Sequence, residues 1–352
     1  MIANRFHVNR FVGGPLLAAA LVLGASMPSF AAQGSYSRTD LVTNATDSNL
    51  VNAWGLARST GSPWWVSDNG TDKSTLYNGS GTKLALVVTI PPSGSAPTGV
   101  VFNGTSGFAV TSGGKSAASR FIFATESGTI AGWSPTVDAT NAIVAVPSTG
   151  GVYKGLAIGT SGGATFLYAT NFNASTVDVF DSNFQPATLD GNFSDPGIHA
   201  GFAPFGIALL NGDLYVTYAR RDANGHDDVA GPANGYVDVF DTSGHLLRRA
   251  ATRGRLNSPW GVAIAPADFG RYSGDLLVGN FGDGRINAVD PATGEFLGQL
   301  RGADNRPITV DGLWAIAFGG GNANSGPTNS LFFTAGPNGE SGGLFGVIQA
   351  AA

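Results

Sequence analysis

One short motif recurs six times along this chain, and its spacing constrains the fold more than any other feature. The copies are Asn52-Ala-Trp-Gly-Leu-Ala57, Pro97-Thr-Gly-Val100, Tyr153-Lys-Gly-Leu-Ala157, Pro204-Phe-Gly-Ile-Ala208, Pro259-Trp-Gly-Val-Ala263 and Leu313-Trp-Ala-Ile-Ala317. Their central residues Gly55, Gly99, Gly155, Gly206, Gly261 and Ala315 lie 44, 56, 51, 55 and 54 residues apart, the scale of a four-stranded propeller blade. In each copy a bulky residue or proline fixes the start of a strand. A residue with little or no side chain then lets a neighbouring repeat approach near a crowded axis.

Within one unit, alternation marks three further strands: Asp275–Gly279, Arg285–Val289 and Glu295–Leu300 follow Gly261–Ile264. Polar turns recur between the third and fourth strands at Asn78, Asp181, Asp241 and Asp290, where an Asx side chain caps the turn, so these residues read as structural. The last unit offers only three strands, around Trp314–Phe318, Leu331–Thr334 and Leu344–Ile348, while Tyr36–Thr43 has no local partner. The expected fold is therefore all-β: a six-bladed β-propeller over residues 32–352, closed by an N-terminal strand that joins the C-terminal blade and hides its edge. With 52 glycines and only 12% charged residues, the composition suits short strands and tight turns.

Residues 1–31 read as a signal peptide, with Arg5 and Arg10 as the basic region, an apolar run from Phe11 to Met27, and Ser29-Phe30-Ala31 as the cleavage site. The apolar run is short for a membrane anchor, which needs about 20 residues, and no later segment is long and apolar enough to span. The product is thus expected to be secreted or periplasmic. There is no cysteine, which excludes disulfides, thiolate nucleophiles and Cys-based metal sites. Of 19 basic residues, Arg5 and Arg10 leave with the signal; 17 against 24 acidic residues remain, which argues against a nucleic-acid partner.

The motif spacing and the Pro-x-Gly-Val-Ala signature resemble those of NHL-repeat propellers. Over nearly the whole mature length the chain is also similar to a family of uncharacterised secreted bacterial propellers. Some members of that family end in a PEP-CTERM sorting tail; none is expected here. The resemblance implies the fold and brings no catalytic residue with it.

Loops that lead into innermost strands and loops that leave second strands share one propeller face, so ligand chemistry is expected there. Trp54, Lys154, Phe172, Phe205, Tyr218, Arg220, Trp260 and Trp314 are the candidate ligand-binding residues, forming a wet mouth rimmed by aromatics. Asp68, Glu126, Asn171 and Asn280 are candidate oxygen ligands for Ca²⁺ or a similar cation. His199 and His226, with Glu126, Asp227 or Asp228, could hold Zn²⁺ or act as an acid–base pair. The competing reading is that the asparagines satisfy turns and the rings wedge blades apart. A further candidate is an anion grip by Arg220, Arg221, Arg253, Arg255, Arg301 and Arg306.

Two functions follow. The first is a binding or scaffold propeller presenting this face to a small molecule, glycan or exported protein. The second is a metal-dependent hydrolase, lactonase or lyase with the ion in the central channel. Walker-type, His-Glu-x-x-His, Gly-x-Ser-x-Gly and EF-hand signatures are missing from the sequence.

Overall fold

Each of the six motif copies forms the innermost strand of its own sheet, and the six sheets make the blades of a β-propeller. The computed structural model describes residues 34–351 together with Met1. The expected signal peptide, residues 1–31, lies outside the described residues, as does the cleavage site. The described chain contains strands and two short 3₁₀ turns, and no helix long and apolar enough to cross a membrane.

The innermost strands are Ala53–Ala57, Pro97–Phe102, Tyr153–Ser161, Phe202–Leu210, Pro259–Ile264 and Leu313–Phe318, defining blades 1 to 6. Blades 1, 4 and 5 each carry four consecutive antiparallel strands, and blade 2 carries four with a hairpin, Ala109–Ser112 with Lys115–Ala118, inserted between its first and second. Blade 3 departs from the expected four: only Tyr153–Ser161, Ala164–Asn171 and Thr176–Phe180 pair as strands. The chain beyond Pro186, which lacks an N–H to continue a ladder, leaves that sheet after a single bridge to Phe180.

Blade 6 is completed as expected by Tyr36–Thr43, paired antiparallel with Leu344–Ala350 from Tyr36 opposite Ala350 to Thr43 opposite Leu344. Tyr36 also ties the closing strand to blade 5, its hydroxyl donating to the Phe269 carbonyl at 3.0 Å.

The small residues of the motif do what their spacing suggests. A Cβ at Gly261 would stand 2.6 Å from the Trp314 carbonyl of the next innermost strand, and one at Gly99 would strike the backbone of Leu156. Threonine hydroxyls stitch the same junctions: Thr170 donates to the Phe205 carbonyl at 2.7 Å and Thr98 to the Tyr153 carbonyl at 2.8 Å. The apolar core divides into six layers between neighbouring blades and one cluster on the axis. Asx capping holds at all four outer turns; Asp181, for example, accepts from the N–H groups of Asn183 and Gln185 at 2.8 and 2.9 Å.

Candidate functional site at the axial mouth

In each copy the residue before the small motif position is Trp54, Thr98, Lys154, Phe205, Trp260 or Trp314, and the four aromatics of this register converge on the axis. Three indoles and a phenyl ring are more than that space needs as a rim, so they fill it. Trp314 is sandwiched between Trp54, at 3.5 Å between centroids, and Phe281, at 3.9 Å. Trp54, Phe172, Phe205 and Trp314 are at most 1% exposed, and Trp260 is 8% exposed. The expected wet, aromatic-rimmed mouth is therefore corrected to a dry aromatic plug. Beyond the plug the innermost strands enclose a channel of about 310 Å³.

Lys154 is the charged member of this register. Its side chain is 2% exposed and runs between rings, with the ammonium 5.3 Å from the Trp54 ring and 6.0 Å from Phe172. Around that ammonium, loops from blades 1, 2, 4 and 6 build a polar network. Lys154 is ion-paired with Glu126, and its Nζ lies 3.6 Å from Asp227. The other Glu126 oxygen accepts from Asn69 at 2.8 Å, and Asn69 accepts from Asn52 at 3.0 Å. Asn52 also donates to Glu340 at 2.6 Å and accepts the Trp314 indole N–H at 2.8 Å, coupling the network to the plug. His226 Nδ1 meets Asp227 at 2.8 Å, and Ser258 of blade 5 lies beside Asp228.

The carboxyls differ in character. Burial of Asp227 opposes its charge, but the His226 hydrogen bond and the Lys154 ammonium outweigh it and hold Asp227 below its ordinary value. Burial lifts Asp228 and Glu340, and Glu126 and Asp228 lift Glu340 further, against the Asn52 bond and Lys154. Two backbone conformations support a built site: Asn52 and Glu340 both sit at positive φ, 47° and 67°, where side chains other than glycine are uncommon.

The remaining candidates lie elsewhere. Asp68 is fully buried inside blade 1 beside Thr75 and Asp47, and burial raises its pKa well above the usual range. Asn171 serves its turn, accepting from Val152 N–H at 3.2 Å and donating to Asp178 at 2.9 Å; Asn280 likewise donates to the Arg255 carbonyl at 2.8 Å. Tyr218 is buried with Phe193 and Tyr236 between blades 3 and 4, and Arg220 is exposed. His199 bonds Tyr236 at 2.9 Å and Arg253 at 2.8 Å, while His226 stands over the axis, so the two histidines serve different clusters.

The arginines also disperse. Arg221 donates to the Asn173 carbonyl at 2.5 Å, Arg255 lies 5.9 Å from the Phe296 ring, and Arg301 donates to the Asn305 carbonyl at 2.7 Å. Of the expected metal residues, Glu126 and His226 meet, with Asp227, in a set whose ligand atoms lie within 4.8 Å of one another. Glu340 is the residue that sequence reasoning missed; it sits four positions past the loop segment Thr334-Ala335-Gly336.

Fold and site define a six-bladed β-propeller with a plugged axis and a charged mouth above the plug. No known family profile matches the chain. It is 35% identical over 315 residues to uncharacterized protein R648 of Acanthamoeba polyphaga mimivirus, covering 86% of this chain and 76% of that one. It is 34% identical over 283 residues to uncharacterized protein L690 of the same virus, covering 77% and 74%. The chain belongs to the family that these viral proteins represent.

Among solved structures, a streptogramin B lyase superposes with a TM-score of 0.50 at 12% identity, covering 90% of this chain and 97% of the lyase. The PQQ-bound aldose sugar dehydrogenase from Streptomyces coelicolor superposes with a TM-score of 0.50 at 13% identity, covering 90% and 99%. These likenesses concern the propeller fold alone.

Proposed function

We propose that this protein is an exported binding propeller that seats a small cationic ligand on its axial mouth. The observation that carries this reading is a surplus of carboxyls over cations. Glu126, Asp227, Asp228 and Glu340 surround the single ammonium of Lys154. A ligand ammonium or guanidinium seated over these carboxyls offsets the burial, and the repulsion from Glu126 and Asp228, that lift Glu340 above its ordinary range. Binding then weakens as pH falls and these carboxyls take up protons. Export rests on the leader-like first 31 residues.

A second reading, a metal-dependent hydrolase or lyase, draws on the Glu126, His226 and Asp227 set. There the Lys154 ammonium already lies against Glu126 and Asp227, so a Ca²⁺ or Zn²⁺ ion has to displace it. That competition favours the binding reading.

A thermal shift experiment tests both. With 1,4-diaminobutane as probe the melting temperature should rise and saturate, as mass action requires, and Glu340→Gln with Asp227→Asn should abolish the rise. A response no larger than that of NaCl at matched ionic strength ends the binding reading. Elemental analysis followed by EDTA treatment decides the metal reading: bound metal and a fall in melting temperature support it, and neither result removes it.

A further inference from the structure

Blade 3 stops one strand short of blades 1, 2, 4 and 5, and the missing strand leaves a specific vacancy in its ladder. Ala187 N–H donates to the Val179 carbonyl at 2.8 Å, and the chain then departs to blade 4, where Gly191 N–H donates to the Ser243 carbonyl at 2.8 Å. Strand backbones alternate, so Val177, like Val179 and Asp181, turns its N–H and C=O outward. Among the described residues neither group of Val177 has a hydrogen-bond partner on that edge. Beside it runs a cleft of about 430 Å³, walled by Val146 and Thr149 of blade 2 and by Leu189 and Phe193 of the departing chain.

The protein contains its own template for what fills such an edge. Val177-Asp178-Val179-Phe180 is repeated as Val237-Asp238-Val239-Phe240 in blade 4. There the fourth strand Leu246–Thr252 is present and sets Arg249 opposite Asp238, with Nε 3.1 Å from the carboxylate. In blade 3 the equivalent Asp178 accepts from Tyr153 at 3.1 Å, Asn171 at 2.9 Å and Thr176 at 2.7 Å. A carboxylate has about four acceptor positions, so one remains. Asp178 is also the only charged side chain lining the cleft.

We propose that blade 3 is completed in trans: an extended segment of a partner polypeptide, carrying an arginine among small or aliphatic residues, adds along Thr176–Asp178 and sets its guanidinium on Asp178. The free N–H and C=O of Val177 ask for a peptide backbone rather than a small molecule. The inference is independent of the axial site.

The probe is a fluorescein-labelled heptapeptide Leu-Arg-Arg-Ala-Ala-Thr-Arg, copying residues 247–253, followed by fluorescence anisotropy. Saturable binding is expected, weakened about tenfold or more by Val177→Pro, which deletes the outward N–H and is tolerated on an edge. Replacing the second arginine of the peptide by alanine should weaken binding to a similar degree, and Glu340→Gln should leave it unchanged. Three results overturn the proposal: no saturation at millimolar peptide, equal affinity for Val177→Pro, or loss of binding in Glu340→Gln, which would put the peptide on the acidic mouth. Light scattering that finds a dimer dissolved by Val177→Pro also overturns it, because the occupant is then a second copy.

Discussion

Blades 3 and 6 both lack a fourth strand in their own stretch of sequence, yet only one of them is completed within the chain. Blade 6 draws in Tyr36–Thr43 from almost the full length of the protein away, and the loan closes the ring. Blade 3 lies inside the ring, where both neighbours are already covalently joined to it. An incomplete outer edge there leaves closure intact. The difference teaches that a fourth strand serves two separate ends in this fold: at the seam it holds the toroid shut, and elsewhere it only covers an edge.

The sharpest way to break this comparison is to delete residues 36–43. That removes the seam ladder and the burial of Tyr36 and Val42 together, and circular dichroism should show loss of cooperative folding, whereas a ring that still melts cooperatively would refute the seam role. Tyr36→Ala is a gentler cut. It empties a site 2% exposed and leaves the Phe269 carbonyl unpaired, with an expected cost of about 3–5 kcal/mol in urea unfolding.

In blade 3 two adjacent proline substitutions sharpen the contrast. Thr176→Pro removes an inward N–H that pairs with Asn171 and should cost about 3 kcal/mol. Val177→Pro removes an outward N–H without a partner and trims a side chain packed on the layer between blades 3 and 4, so it should cost less, about 1 kcal/mol. Equal costs would mean that the Val177 edge is not open.

The smallest effect concerns pH. Asp238, covered in blade 4 as Asp178 is not in blade 3, is pushed up to about 7 by burial and by Asp195, against the pull of Arg249. A carboxyl with a raised folded-state pKa binds its proton more tightly when folded, so its contribution to stability declines as pH rises from about 4 to 7. Asp238→Asn should flatten that decline in urea midpoints measured across the interval. An unchanged slope would mean that Asp238 is ionised throughout.

Much of this fold is legible in the residues. The six copies of the motif count the blades, Pro259 and Gly261 mark an innermost strand, and the unpaired Tyr36–Thr43 announces the seam. The site is less legible. Glu126 and His226 stand out as polar residues in the correct loops and Lys154 at the start of an innermost strand, but nothing local tells that Trp54 and Trp314 stack rather than line a pocket. Glu340 carries no signature at all; its carboxyl matters because Asn52, 288 positions earlier, comes within hydrogen-bond reach.

Repetition is a local property, and from it the sequence by itself determined the blade count and the small residues at the crowded axis. Tertiary structure alone decided which side chains of equivalent register became a plug and which became a charged mouth. It also decided that two identical Val-Asp-Val-Phe strands meet different fates. The physical reason is that packing at an axis and coverage of an edge depend on volumes and partners brought from distant repeats, which no single repeat encodes.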